Sequence, residues 1–266
     1  MNYDNVINMD TRTVISGLPF HAFLERLSIY DFNGFMNNHS VSPESRDLFT
    51  SEMALYGCHT IDGILFWLSE LKSRYELMVD RIPLMDVRDW HVGEFEIVRQ
   101  DRRFFRVLGV EVVIENREVQ SWCQPLVEPM QEGLCAFIIK KINGVYHFLV
   151  QAKIECGNFD VVEMAPTVQC LTGSYKGENS AAPPFVDYVL GNSCKRILFD
   201  TRQSEEGGRF YHEQNRNLVV EADDAFPEQI PENFIWLTLG QIKEFLRYNN
   251  YLNIQARSLI AVLDYR

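Results

Sequence analysis

Residues 144–169 read GVYHFLVQAKIECGNFDVVEMAPTVQ and join the pattern of a buried strand to a group of polar side chains. The first apolar residues alternate, which is typical of a half-buried β-strand: Tyr146, Phe148 and Val150. Polar residues take the opposite face or follow closely: Gln151, Lys153, Glu155, Asn158, Asp160 and Glu163. An amide, an ammonium and a carboxylate on one side of a strand predict a surface for a polar ligand. A solvated sheet face is the structural alternative.

A second polar block lies at residues 204–221, which read SEEGGRFYHEQNRNLVVE, and the binding hypothesis rests on the pair of blocks. Asn143-Gly144, just before the first block, is a strong signal for a two-residue hairpin. Patterns of period two predict strands at residues 95–100, 105–115, 134–141 and 145–155, with a short strand at 196–200. The region is therefore expected to form a mostly antiparallel sheet.

Residues 21–90 are expected to be mainly helical and to serve packing rather than chemistry. Thr60 can cap a helix, and apolar residues follow it at helical spacing: Ile61, Ile64, Leu65, Leu68, Leu71, Tyr75 and Met78. Pro83 is expected to end this region. Helices grouped before a mostly antiparallel sheet predict the α+β class, with an N-terminal helical segment.

Two shorter helices are expected later in the chain. Pro183-Pro184 precede one of them. Thr238 and Gln241 have the spacing of a capping box, which predicts a helix to about Tyr248.

Composition excludes several classes of function. The 266 residues are 46% hydrophobic with a net charge of −12, which indicates a globular protein and argues against a nucleic-acid surface. Six cysteines without C-x-x-C spacing are expected to be reduced, mostly buried thiols. The N-terminus has no secretion signal and no apolar run is long enough to cross a bilayer, so a cytoplasmic protein without membrane contact is expected.

The two ends of the chain resemble each other. Residues 3–18 read YDNVINMDTRTVISGL and residues 248–263 read YNNYLNIQARSLIAVL, with identities in constant register that include Asn8/Asn253 and Arg12/Arg257. This echo predicts a tandem-repeat protein in which residues 1–20 are the tail of a preceding repeat or a linker. Residues 21–90 would then be the helical segment, and residues 91–266 the core domain.

The order of several motifs resembles the NDP-hexose 2,3-dehydratases of deoxysugar biosynthesis. These motifs are WCQPL at 122–126, HFLVQAKIECGN at 147–158, APTVQC at 165–170, EGGRFYH at 206–212, NRN at 215–217 and WLTLGQ at 236–241. Members of this family typically have two tandem repeats, each similar in fold to Nudix hydrolases. The chain resembles the second repeat, which implies a Nudix-like mixed or antiparallel sheet flanked by helices and a nucleotide-sugar-binding core.

The resemblance implies a dehydration of an NDP-4-keto-6-deoxyhexose, usually a dTDP-sugar. A base removes the C3 proton, which the C4 ketone acidifies, and the enolate expels the C2 hydroxyl after protonation by an acid. The enol product rearranges to a 3,4-diketo-2,6-dideoxy sugar, and no cofactor is implied. No Nudix box is present, which argues against metal-dependent pyrophosphate hydrolysis. Two alternatives remain: a non-catalytic, vestigial nucleotide-sugar-binding repeat that supports a catalytic partner, and a plain structural domain.

Four residues are the candidates for base and acid: Glu155, Glu163, His147 and Tyr175. Either carboxylate could act as a base if it were desolvated, and either could instead be an ordinary surface group. His147 shares the parity of Gln151 and Lys153, but a hydrogen-bonded structural histidine is the alternative. Tyr175 could donate to the leaving hydroxyl or simply pack.

Cations and amides are the candidates for substrate binding. Lys153, Arg209 and Arg216 are expected to hold the diphosphate, because phosphate favours guanidinium and fixed ammonium groups. Side chains expected to bind the sugar or base are Gln124, Gln151, Asn158, Gln169, Asn215 and Asn217. Trp122 could stack on thymine or lie in the core. Arg257, like Arg12, would close a site or brace a repeat interface, and a homodimer or pairing with a second repeat is expected.

Overall fold

The computed structural model describes residues 41–173, 182–191, 193–227 and 229–263. Tyr175, Arg12, residues 1–20 and the first part of the expected helical segment lie outside these ranges. Within them, no helix is both long and apolar enough to cross a membrane.

Two helices open the described chain, α1 at Pro43–Met53 and α2 at Ile61–Arg74. The predicted cap of α2 is confirmed, since the Thr60 side chain accepts a hydrogen bond from the Gly63 amide at 3.1 Å. Ile64, Leu68 and Leu71 face the core from α2. The predicted extension of this helix to Met78 is wrong. Met78 is 77% exposed, so its side chain adds no core contact that would sustain a further helical turn. A single 3₁₀ turn, Leu84–Asp86, follows.

A four-stranded antiparallel sheet comes next. Its strands are β1 (Trp90–Val92), β2 (Glu96–Arg99), β3 (Phe105–Val113) and β4 (Ser121–Pro129), paired in that order. Alternation predicts β2 and β3 correctly but does not predict β4, which carries the WCQPL motif. The sheet meets the rest of the molecule where Val127 of β4 bonds to Arg209 and Tyr211.

The larger sheet has seven strands. They are β5 (Gly133–Ile142), β6 (Val145–Lys153), β7 (Glu163–Ala165), β8 (Val168–Leu171), β9 (Arg196–Ser204), β10 (Gln214–Glu221) and β11 (Phe234–Thr238). The main order is β11-β6-β5-β10-β9, with β7 on β6 and β8 on β5. Only the β5–β10 pair among the described strands is parallel. The predicted hairpin is confirmed, because Asn143 and Gly144 both have positive φ, 52° and 80°.

The sheet forks where β5 and β6 separate. The strands pair near their hairpin, from Ile142↔Val145 to Ile139↔Phe148, and then bond to β8 and β7 instead. Thr167 fills the fork: its hydroxyl accepts from the Ile138 amide at 2.9 Å and donates to the Leu149 carbonyl. The APTVQC motif thus satisfies two buried backbone groups that the fork would otherwise leave without partners.

Helices cover both faces of the larger sheet. The short α3 (Val186–Leu190) follows the two prolines as predicted and packs on one face with Leu134, Ile138 and Leu218. The helices α1, α2, α4 (Leu239–Phe245) and α5 (Ile254–Ala261) pack on the other face. The capping box at Thr238 and Gln241 is confirmed, although α4 ends three residues before Tyr248. An α+β fold with a mixed sheet flanked by helices is therefore confirmed.

The expectation that most cysteines are buried is wrong. Cys135 is the buried one, while Cys58, Cys123 and Cys156 are exposed and Cys170 and Cys194 are intermediate. Composition alone does not locate a thiol. Cys123 lies on the outward face of β4, and Cys156 lies in the turn after β6.

Candidate functional site

A cavity of about 490 Å³ lies beside the fork. Its walls come from the start of β5, the end of β6, β8, the entry to β10 and the first turn of α5. Four predicted site residues line it together: Lys153, Glu155, Gln169 and Asn215. The two polar blocks of the sequence meet here because β5 pairs with β8 on one side and with β10 on the other.

Hydrogen bonds fix the polar groups on one wall. The Gln169 side-chain amide donates to the Glu155 carboxylate at 3.1 Å, and the Lys153 ammonium donates to the Gln169 backbone carbonyl at 3.3 Å. Asn253, which caps α5, donates to the Gln169 side-chain carbonyl at 2.6 Å. Gln169 therefore contacts both the Glu155 carboxylate and the Lys153 ammonium and holds each in a defined orientation.

The facing wall depends on a glycine. A Cβ on Gly133 would lie 1.7 Å from Oδ1 of Asn215, so only glycine lets this asparagine lie across β5. Asn215 donates to Glu205, and Asn217 donates to the Asn215 carbonyl at 3.0 Å. Asn217 lines a second cavity, of about 600 Å³, that shares Cys135 and Gln255 with the first. The two cavities adjoin beneath α5.

Two carboxyl groups have raised pKa values: Glu213, which lines the first cavity, and Glu163 of β7, which lines neither cavity. Burial raises the pKa of Glu163, the charge of Arg257 opposes that shift, and the charge of Glu155 reinforces it. Burial, reinforced by Glu205, likewise raises the pKa of Glu213, which lines the first cavity. A desolvated carboxyl group of this kind retains its proton more readily than an exposed one and can serve as an acid.

Sequence reasoning missed Glu213 and Gln255, both of which line the first cavity. Glu213 carried a usable signal, because it shares the parity of Asn215 and Asn217 in the second polar block. Gln255 carried none, since its position depends on how α5 lies across the sheet.

Cys135 lies between the two cavities, and burial raises the pKa of its thiol to about 12. It is therefore a neutral, apolar part of the wall near neutral pH.

His147 lies away from the cavity. It is 2% exposed, its Nδ1 bonds to the Val145 carbonyl at 2.9 Å, and its Nε2 accepts from the Cys58 amide at 3.3 Å. Burial lowers the pKa of this imidazole. The geometry gives His147 a structural role, because both ring nitrogens are committed to backbone groups.

Three other predicted residues lie on or against the four-stranded sheet. The Trp122 indole donates to Gln124 at 2.6 Å, and Gln124 donates to the Gly208 carbonyl at 2.9 Å. These bonds brace the loop between β9 and β10. The Arg209 side chain is 76% exposed and lies 3.4 Å from Glu206. None of the three lines either of the two cavities.

The remaining predicted binders have varied surroundings. Asp200 holds Arg216 with two bonds of 2.9 and 2.7 Å on the face of β10 opposite Asn215. Gln151 is partly buried in β6 opposite Ala165.

The last two predicted binders lie after β6 and on α5. Asn158 lies in the turn after β6, where its backbone N–H donates to the Glu155 backbone carbonyl at 3.1 Å. Arg257 is an exposed residue of α5 whose guanidinium donates to the Asn253 carbonyl at 3.4 Å.

No group of three or more His, Cys, Asp or Glu side chains that could hold a metal ion occurs within the described ranges. The polar side chains that line the first cavity are two carboxyl groups, one ammonium and three amides.

Solved structures with a similar outline include hydrolases of nucleotides. An ADP compounds hydrolase matches 60% of this chain and 84% of its own, with 14% identity and a TM-score of 0.38. A Nudix hydrolase from M. smegmatis matches 58% of this chain and 92% of its own, with 16% identity and a TM-score of 0.33. Neither similarity adds to the assignment of function.

Sequence comparison is more specific. Curated relatives named dTDP-4-dehydro-6-deoxy-alpha-D-glucopyranose 2,3-dehydratase occur in Saccharopolyspora spinosa and Streptomyces violaceoruber, at 40% and 38% identity. They match 99% and 98% of this chain but 53% and 54% of their own lengths, so the chain spans about half of each relative. The family model for NDP-hexose 2,3-dehydratase matches residues 62–263, and the chain therefore belongs to that family.

Proposed function

We propose that this chain carries out, or forms the catalytic half of, the dehydration of a dTDP-4-keto-6-deoxyhexose across C2 and C3. The observation that carries the proposal is the meeting of Lys153, Glu155, Gln169 and Asn215 around one cavity of about 490 Å³. The names of the relatives support dTDP-4-keto-6-deoxyglucose as the substrate. The proposed core is residues 91–266.

Glu155 is the proposed base for the C3 proton. Its carboxylate lines the cavity, and the side-chain amide of Gln169 donates a hydrogen bond to one of the two carboxylate oxygens. Glu163 and Glu213 are the candidates for the acid that protonates the C2 hydroxyl, because burial raises both pKa values. Desolvation favours the protonated form of these two groups, which is the form that an acid needs.

Lys153 is the proposed cation for the diphosphate or the developing enolate. Its ammonium reaches a backbone carbonyl in the cavity wall, whereas Asp200 holds Arg216 and Glu206 lies beside Arg209. A cation without a close carboxylate partner has more charge to offer an anionic ligand.

Titration with dTDP tests the binding half of the proposal. Lys153→Ala is expected to weaken affinity at least tenfold, about 1.4 kcal/mol. Arg209→Ala removes an equally cationic side chain that lines neither cavity and is expected to change affinity little. Equal losses in the two variants would contradict the assignment of the cavity.

Exchange of the substrate's C3 proton with solvent distinguishes the catalytic base from the catalytic acid. In D₂O the protein is expected to exchange the C3 proton of dTDP-4-keto-6-deoxyglucose and to release water, both followed by mass spectrometry. Glu155→Gln should abolish both events. The variant lacking the acid, Glu163→Gln or Glu213→Gln, should retain C3 exchange and lose dehydration. Exchange that survives in Glu155→Gln would exclude Glu155 as the base.

The alternative is a nucleotide-sugar-binding repeat without turnover. The chain matches only about half the length of its relatives, and this observation supports the alternative of a repeat without turnover. Wild-type protein that binds dTDP but neither exchanges C3 nor loses water would support this alternative. Absence of dTDP binding would overturn both functions.

The proposed partner is a second copy of the chain or a second repeat. An exposed apolar segment supports this: Met78, Val79, Ile82, Leu84, Met85 and Phe95 are each more than half exposed. Large apolar side chains exposed in one stretch of the chain are a feature of surfaces that contact other proteins. The cytoplasmic location stays a prediction from the sequence.

A further inference from the structure

Asn253 connects the start of α5 to the cavity wall. It is 4% exposed, and both ends of its side-chain amide are engaged. Oδ1 accepts from the Ala256 amide at 2.9 Å as the N-cap of α5, and Nδ2 donates to Oε1 of Gln169 at 2.6 Å. Gln169 then donates from Nε2 to Glu155 at 3.1 Å.

The direction of this chain of bonds is set by a backbone group. The Ala256 N–H can only donate, so it requires the oxygen of Asn253. The amino end of Asn253 must then face Gln169, which turns the Gln169 carbonyl toward Asn253 and the Gln169 amino group toward Glu155. An amide side chain that could otherwise flip is held in one orientation.

The backbone around Asn253 is itself tied to the sheet. The Asn253 amide donates to the Met164 carbonyl at 3.0 Å, and the Met164 amide donates to the Tyr251 carbonyl at 2.7 Å. The cap therefore cannot shift without breaking the edge of β7. Because its backbone is held in place, the Asn253 side chain can fix the orientation of Gln169, and through it the contact to Glu155.

We propose that Asn253 is a positioning residue, which orients Gln169 so that an N–H, and never a carbonyl, faces the Glu155 carboxylate. The catalytic consequence rests on the proposed role of Glu155 as the base. Asn253 itself does not line the cavity.

Two substitutions separate capping from orientation. Asp and Ser are N-caps of similar quality to Asn, so Asn253→Asp and Asn253→Ser both preserve α5. The introduced carboxylate, however, can only accept, so Gln169 must turn its amino group toward it and its carbonyl toward Glu155. Two facing oxygens repel and displace the carboxylate. The serine leaves Gln169 free to keep the favourable orientation.

The hydrogen bonds from Asn253 through Gln169 to Glu155 are called the relay below. A double-mutant cycle measured by urea unfolding tests this relay without reference to activity. Asn253→Asp should lower the midpoint in the wild-type background by more than Asn253→Ser, which loses only the hydrogen bond to Gln169. In the Glu155→Gln background the loss should vanish, because the new amide can donate to the turned Gln169 carbonyl. Equal losses in both backgrounds would show that Asn253 is only a structural cap and would overturn the inference.

Kinetics test the catalytic consequence. Asn253→Asp should lower kcat for dehydration about tenfold with little change in KM, since misplacement of a reacting group by a fraction of an ångström is costly. Asn253→Ser should retain most of the rate. An unchanged kcat in Asn253→Asp would also overturn the inference. Wild-type protein without activity would instead overturn the proposed function, and the unfolding cycle would still decide whether the relay exists.

Discussion

At the scale of single residues, surroundings rather than residue type separate the candidates. Lys153, Arg209 and Arg216 are all cations in polar motifs, yet Lys153 alone of these three lines the cavity. Arg216 is held by Asp200 on the opposite face of its strand, and Arg209 lies in an exposed loop. The predicted binding role is therefore best supported for Lys153.

The buried His147 predicts a stability that depends on pH. Burial lowers its pKa in the folded state, so the unfolded chain binds more protons as the pH falls through the ordinary histidine pKa of about 6.5. Stability is therefore present above that pH and is lost below it. Urea unfolding should show a lower free energy of unfolding at about pH 5 than at about pH 7.

The matching variant is His147→Asn. It should be less stable near neutral pH by about 1–3 kcal/mol, because the Cys58 amide loses its acceptor. Its stability should also fall less steeply with acid. His59 provides the control, since burial lowers its pKa too while its ring is more exposed. An acid slope that is unchanged in His147→Asn and lost in His59→Asn would assign the effect to His59.

At the scale of elements, side chains form hydrogen bonds with the backbone groups that helix ends and strand pairing leave without partners. The caps of α2, α4 and α5 each come from a side chain that sequence rules favour: Thr60, Thr238 and Asn253. The fork between β5 and β6 has no such rule. Its two orphan backbone groups are satisfied by Thr167, which β-strand patterns do not single out.

Thr167→Val should therefore be strongly destabilising although it preserves shape. The Ile138 amide and the Leu149 carbonyl would both be buried without partners, at a cost of about 3 kcal/mol in unfolding free energy. Thr172→Val is the matched control, because its hydroxyl donates only to the Glu132 carbonyl in a partly buried site. That change should cost about 1 kcal/mol. Similar losses measured by urea unfolding would contradict the special role of the fork.

At the scale of the whole molecule, one parallel strand pair assembles the site. The β5–β10 pairing puts Asn215 opposite Gly133 and Asn217 opposite Cys135. The antiparallel β5–β8 pairing puts Gln169 on the other side of Cys135. The two polar blocks, which are far apart in the sequence, thereby reach one cavity.

The exposed apolar segment defined above predicts self-association. Met85 is 78% exposed, and Met85→Glu should shift the protein toward the monomer in sedimentation velocity at micromolar concentration. Phe159→Glu is the control, because Phe159 is 95% exposed but lies outside that segment. A wild-type chain that sediments as a monomer would exclude the homodimer and leave pairing with a second repeat.

The sequence by itself determined the local structure and the family. Hydrophobic period, the Asn143-Gly144 turn and the side-chain caps identified most of the strands and helices, because each depends on neighbours in the chain. Residues past the last buried position were predicted less well. The α2 helix ends before the exposed Met78, and α4 ends before the exposed Leu246 and Tyr248, and local spacing does not predict which of these positions lack core contacts.

Only the tertiary structure decided which candidate residues meet. Lys153, Glu155, Gln169 and Asn215 reach one cavity because of strand pairing between distant segments, while His147, which has the same parity as Lys153, is carried into the packed interior. The Asn253 relay and the raised pKa of Glu213 likewise depend on how α5 and β10 lie against β5 and β8. Hydrogen-bond partners and desolvation are properties of three-dimensional neighbours, and the sequence order alone does not specify them.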